Sequence, residues 1–98
     1  MKDILNNLNK ILENHIRLGI MSALVVNDSM DFNSLKDLLA VTDGNLASHL
    51  KTLEKSEMIV VRKQFIGRKP NTRYSVTAYG RIAFEQHLDA LEQLMKNS

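Results

Sequence analysis

Apolar residues fall along this chain in blocks whose period is helical at first, alternates near the middle, and turns helical again. Ile4, Leu5, Leu8, Ile11 and Leu12 recur at helical spacing and predict an amphipathic helix over residues 1–13, which Asn14 ends or loosens. Ile16, Ile20, Met21, Leu24 and Val25 repeat the pattern until the turn cluster Asn27-Asp28-Ser29 stops it. Met30-Asp31-Phe32 then reads as a short strand. Asn33 is expected to cap a short helix carrying Leu35, Leu38 and Leu39, and Thr42 to cap the next. In that second helix Leu46, Leu50 and Leu53 make an apolar stripe at steps of four and three, turning Gly44, Asn45, Ser48, Lys51, Thr52 and Lys55 outward. Two short helices joined by a tight turn form a helix-turn-helix.

Beyond Met58, residues 59–65 and 72–76 have the β-branched and aromatic composition of two strands, with Gly67 and Pro70 between them. Alternation puts Ile59, Val61, Phe65, Tyr74 and Val76 inward and leaves Arg62, Gln64, Arg73 and Ser75 on the opposite face. Gly67 permits an unusual backbone angle at the tip and Pro70 stiffens the loop. Thr77 is placed to cap a last helix over residues 78–96, in which Phe84, Leu88, Leu91 and Met95 keep the four-three-four spacing of a coiled-coil seam. The pattern as a whole predicts an α+β fold, mostly helical, with a small antiparallel sheet in a single domain spanning residues 1–98.

Charge sharpens this picture. Residues 62–73 hold five cations, Arg62, Lys63, Arg68, Lys69 and Arg73, and no acid, so this segment is +5. With 13 Lys and Arg and 11 Asp and Glu in all, the remaining chain carries 8 minus 11, or −3. Charge concentrated on one projecting hairpin suits a phosphate backbone, because each neutralised phosphate releases condensed counterions. At 98 residues the chain is near the size at which one core becomes self-sufficient, so burial by self-association is plausible. The absence of cysteine excludes disulfides and thiolate metal sites, and no apolar run reaches bilayer length. A cytoplasmic protein is expected.

The outward positions of the second motif helix fit a helix lying in the major groove of double-stranded DNA. Thr42 and Gly44 stand at its N-terminus, where free N–H groups favour a phosphate and glycine lets the backbone approach. Asn45 can pair bidentately with adenine, Ser48 and Thr52 can bond base edges or phosphate, and Lys51 and Lys55 suit phosphate or guanine. His49 lies at the border of the apolar stripe, where a packing role and a DNA contact are equally open. Lys63, Arg68, Lys69, Asn71 and Arg73 complete the expected DNA-binding set. Two plainer readings compete: a solvated helix face, and edge cations that only prevent strand aggregation. Against the first, the only acid between Gly44 and Lys55 is Glu54, beside the buried stripe; against the second, five like charges exceed that need.

Ile4, Leu5, Leu8, Ile11, Leu12, Leu88, Leu91, Leu94 and Met95 crowd the chain ends, outside a motif that already has enough apolar residues for its core. Burying a side chain of this size stabilises by about 1.5–3 kcal/mol, so these residues predict the interface of a two-fold symmetric homodimer. His15 and His87 come together only if the terminal helices pair, and too few ligand-type residues accompany them for a metal site. No Gly-rich phosphate loop, HExxH or nucleophile elbow is present, and Asp37, Asp43, Glu54 and Glu57 read as solvating or capping groups. Neither an enzyme nor a cofactor is expected.

Five ordered segments, Ile16-Arg17-Leu18-Gly19-Ile20-Met21, Phe32-Asn33-Ser34-Leu35, Thr42 to Leu50, Gly67-Arg68-Lys69-Pro70 and Thr77-Ala78-Tyr79-Gly80-Arg81, resemble the small MarR/ArsR-like winged helix-turn-helix regulators of bacteria and archaea. The resemblance covers roughly residues 11–94. It implies a dimeric regulator whose helix from Asn45 to Thr52 enters the major groove while the Arg68-Lys69 wing reaches the flanking minor groove or backbone. Without cysteine the chain departs from the metal-sensing ArsR members. A small-molecule effector, if one acts, would bind between the terminal helices and the DNA-reading motif. The rival reading is a winged-helix module that docks an acidic protein partner, and a second rival binds RNA.

Overall fold

The computed structural model describes residues 1–97 and consists of five α-helices, one 3₁₀ turn and a three-stranded antiparallel sheet. In chain order these are α1 (Lys2–Asn6), the 3₁₀ turn (Lys10–Glu13), α2 (His15–Val25), β1 (Met30–Asp31), α3 (Phe32–Leu39), α4 (Asp43–Lys55), β2 (Ile59–Ile66), β3 (Lys69–Val76) and α5 (Ala78–Lys96). The sheet order is β1-β3-β2. Residue 98 lies outside the described region.

The core forms where α2, α3, α4 and the start of α5 close over the base of the sheet. Ile20, Met21 and Leu24 of α2 meet Leu35 of α3 and Leu46, Leu50 and Leu53 of α4, with Met58, Ile59 and Phe84 filling the side toward α5. The helical stripes read from the sequence are therefore the faces that pack.

The N-terminal segment differs from the single helix expected over residues 1–13. It breaks after Asn6 because Asn9 engages its polar groups elsewhere: its side chain accepts from the Ile11 N–H (2.9 Å), and its own N–H donates to Nδ1 of His87 (2.9 Å). Asparagine readily offers the backbone such alternatives to a helix. Asn14 then caps α2, accepting from the N–H groups of Ile16 and Arg17. Leu12 is 0% exposed within the chain's own core, so its expected place in a dimer interface is corrected.

Two further expectations change. α3 starts at Phe32, the last residue of the predicted strand, and its cap is Asp31, whose carboxylate accepts from the Ser34 N–H (2.8 Å), rather than Asn33. That hydrogen bond holds the Asp31 carboxyl below its ordinary range. Phe65, expected inward, is exposed, because the hairpin runs past the helical body and only its base reaches the core.

The hairpin is also tighter than its composition suggested. Ile66 pairs with Lys69, leaving a two-residue loop, Gly67-Arg68, in which only Gly67 has a positive φ (+65°). That arrangement matches a type II′ turn, with glycine at the first central position. Pro70 sits in β3 opposite Phe65 rather than in the loop. Proline is tolerated there because β1 pairs with β3 only at Arg73 and Tyr74, so farther out one edge of β3 has no neighbour to receive an N–H.

Candidate nucleic-acid interface

Thr42 Oγ1 accepts from the Asn45 N–H (3.2 Å) and so fixes the start of α4, the second helix of the helix-turn-helix. Across the turn Lys36 of α3 pairs with Asp43 at 2.8 Å, and the carboxylate raises the lysine above its ordinary pKa. Leu46, Leu50 and Leu53 seat α4 in the core. As a consequence Gly44, Asn45, Ser48, Lys51 and Lys55 are exposed as predicted, while Thr52 is half-buried and donates its hydroxyl back to the Ser48 carbonyl (3.2 Å).

His49 has a packing role in the structure, at the border of the buried stripe. It is half-buried, and its Nδ1 lies 3.0 Å from a terminal guanidinium nitrogen of Arg17, which in turn donates through Nε to the Ile11 carbonyl (2.7 Å). Burial above all, then the charges of Arg17 and His15, lower the His49 pKa and favour the neutral ring that accepts from arginine. Nε2 then carries the proton and remains the donor.

The wing meets α4 along one groove. Ala47, Leu50, Lys51 and Glu54 of α4 form one wall, Val61, Lys63, Thr72 and Tyr74 of the sheet form the other, and Phe32 closes the end. Tyr74, half-buried at its floor, has its phenol pushed up by burial and by the charge of Glu54. Lys51 and Lys63 thus border the same depression, so α4 and the hairpin each contribute a cation to it. Arg68 and Lys69 are exposed at the tip, with Asn71 half-buried behind them.

Arg73 is placed differently from the other cations. It donates to Ser29 twice, from Nε to Oγ (2.8 Å) and from a terminal nitrogen to the carbonyl (2.9 Å), and lies 3.9 Å from the Asp31 carboxylate. These bonds fix the α2–β1 connection to β3, so Arg73 braces the wing. The β1–β3 register, which sets Asp31 opposite Arg73, is what creates the site, and no sequence spacing announces it.

The apolar chain ends divide. Ile4, Leu8, Leu91 and Leu94 are half-buried toward the end where α1 lies along α5, Ile11 packs against the main core, which corrects its expected place in a dimer interface, and Leu5, Leu88 and Met95 are exposed. Of the coiled-coil seam read on α5, Phe84 belongs to the core. His87 is buried and bonded to Asn9, not paired with the exposed His15. Among the described residues no helix is long and apolar enough to cross a membrane.

Comparison with known proteins agrees with this fold. Residues 16–95 match the family model described as a winged helix DNA-binding domain. An uncharacterized protein of Methanocaldococcus jannaschii is 36% identical over 88 residues, covering 90% of this chain and 96% of its own. The solved structure of a transcriptional regulator homologue from Pyrococcus horikoshii OT3 superposes with a TM-score of 0.86 at 30% identity, covering 98% of this chain and 93% of that one. PadR of Bacillus subtilis, solved in complex with operator DNA, shares the fold at a TM-score of 0.68 and 15% identity, over 76% of this chain and 47% of its own.

Proposed function

The chain belongs to the winged helix DNA-binding domain family, and from that premise we propose that it regulates transcription as a homodimer bound to a pseudo-palindromic operator in double-stranded DNA. The observation that carries this reading is the groove shared by Lys51 of α4 and Lys63 of the wing, which lets one duplex meet both elements. In this reading α4 lies in the major groove, with Asn45, Ser48 and the free Nε2–H of His49 toward base edges and Thr42, Gly44, Lys51, Thr52 and Lys55 toward the backbone and neighbouring bases. Lys63, Arg68 and Lys69 neutralise phosphates beside it, Asn71 supports them, and Arg73 acts through the shape of the wing. Phosphate contacts supply most of the affinity; the uncharged groups on α4 supply discrimination.

The second protomer docks on the terminal faces. Leu5 and Leu88 are 51% and 41% exposed, Met95 is exposed, and Ile4, Leu8, Leu91 and Leu94 are half-buried, so apolar area remains at the chain ends for a partner to cover. Two-fold pairing there sets two α4 helices about 34–36 Å apart, one turn of B-DNA. A cytoplasmic location follows from the function.

The test is a gel shift with random-sequence duplex at low salt, followed by selection of bound sites from a randomised pool. Retention of the random duplex and enrichment of an inverted repeat are expected. No retained DNA would point to the acidic protein partner instead, and preferential retention of duplex RNA would overturn the operator.

A further inference from the structure

Phe65 and Ile66 are 74% and 63% exposed, and they stand immediately before the Gly67-Arg68 turn. The register sets Phe65 opposite Pro70, Lys63 opposite Thr72 and Val61 opposite Tyr74. Since strand side chains alternate, these three pairs share one face of the hairpin, and the inner two line the groove beside α4. Ile66 falls on the other face. The side of the wing turned toward α4 therefore ends in an exposed aromatic residue whose register partner is a proline, just beyond a lysine.

Charge decides what meets that ring. Residues 59–76 contain Arg62, Lys63, Arg68, Lys69 and Arg73 and no acid, so two copies of the tip repel each other and a polyanion is favoured. The minor groove of DNA supplies phosphates on both rims for Arg68 and Lys69 and base edges on its floor, with apolar base faces exposed once a step is parted. Apolar wedges of Phe, Leu, Ile, Met or Pro enter such grooves and part a base step. The hairpin ladder on both sides of Phe65 already holds its backbone, so little ordering opposes the insertion.

We propose that Phe65, backed by Pro70, is a wedge that enters the minor groove beside each half-site, partly unstacks one base step and bends the duplex. The proposal rests on the DNA-binding reading above and adds to it a deformation of the operator. It assigns sequence preference to a position that α4 does not touch: flexible pyrimidine–purine steps under the wing cost least to open. An anionic bilayer also accepts cations with an aromatic ring, but a flat surface meets the tip alone, whereas a duplex meets the tip and α4 together.

The experiment uses a duplex selected from the random pool, carrying 2-aminopurine under the expected wing position and donor and acceptor dyes at its ends, with the full chain as wild type, Phe65→Ala and Phe65→Leu. Wild type is expected to bend the duplex by about 20–90° and to raise 2-aminopurine fluorescence. Phe65→Ala loses both signals while still retaining DNA with an unchanged salt slope, and Phe65→Leu restores part of the bend. Since Phe65 is exposed, circular dichroism should match in all three. A straight wild-type complex, or a bend that survives in Phe65→Ala, overturns the wedge and leaves the DNA reading intact. Failure of all three to retain DNA overturns both. If Phe65→Ala instead loses binding to phosphatidylglycerol vesicles and bends DNA normally, the tip serves a membrane and the wedge is wrong.

Discussion

Arg17 of α2 reaches His49 of α4, with 3.0 Å between a guanidinium nitrogen and Nδ1, and so ties α4 to the helix beneath it. The bond requires a neutral imidazole, and burial, Arg17 and His15 all favour that form. Arg17→Met removes the contact and leaves the Ile11 carbonyl without its donor, at an expected cost of about 1–3 kcal/mol in urea unfolding. The ring should also titrate at higher pH in Arg17→Met than in wild type, measured by the His49 NMR resonances. A lower value in the variant would mean that the guanidinium is not raising the cost of the imidazolium.

His87 gives the fold a pH dependence of definite sign. Burial pushes its pKa below the ordinary 6.5, only partly opposed by Glu13, so between the two values the unfolded chain binds more protons than the folded one. Stability is therefore complete above about pH 6.5 and is lost as pH falls through the folded-state value. Protonation also ends the acceptance from the Asn9 N–H. Urea midpoints should fall from pH 7 to pH 5 in wild type, with a smaller slope in His87→Leu. That variant should be less stable by about 1 kcal/mol at pH 8, because it orphans the half-buried Asn9 N–H.

Two glycines separate structural from functional need. A Cβ on Gly80 would lie 2.1 Å from the Met58 carbonyl oxygen, where α5 crosses the end of the α4–β2 connection, so Gly80→Ala should cost about 3 kcal/mol or more. At Gly44 nothing lies within 4 Å, and Gly44→Ala should stabilise the exposed helix by about 0.5 kcal/mol. If the backbone there approaches a phosphate, the same variant binds DNA more weakly despite melting higher. Unimpaired binding would remove Gly44 from the interface.

The terminal faces make their own prediction. Leu88→Asp places a charge in the proposed interface twice by symmetry, so the dimer dissociation constant should rise at least roughly 100-fold in sedimentation experiments. Since Leu88 is partly exposed in the single chain, the monomer's fold should survive. An unchanged sedimentation coefficient would place the interface elsewhere.

Much of this was legible in the residues. Leu46, Leu50 and Leu53 fixed which face of α4 is free, and Thr42 and Thr77 fixed where two helices start, because period and capping are local physics. What escaped depends on partners far along the chain. The break after Asn6 requires His87, the bracing role of Arg73 requires Ser29 and Asp31, and the burial of Leu12 requires a core assembled from α2, α3, α4 and α5. Phe65 was misplaced for a related reason: alternation gives a side chain's face but not how far the body extends beneath it. The pairing of Phe65 with Pro70 follows from the two-residue turn, which Gly67 signalled and Pro70 obscured.

Whether the wing joins α4 on the same duplex is tested with least ambiguity by the salt dependence of binding. The slope of log affinity against log salt should be compared for wild type and Arg68→Ala/Lys69→Ala on one selected duplex. Loss of two phosphate contacts per wing should flatten the slope by about 1.8 per protomer and weaken binding to all sequences alike. An identical slope in the two proteins would contradict the placement of the wing on DNA.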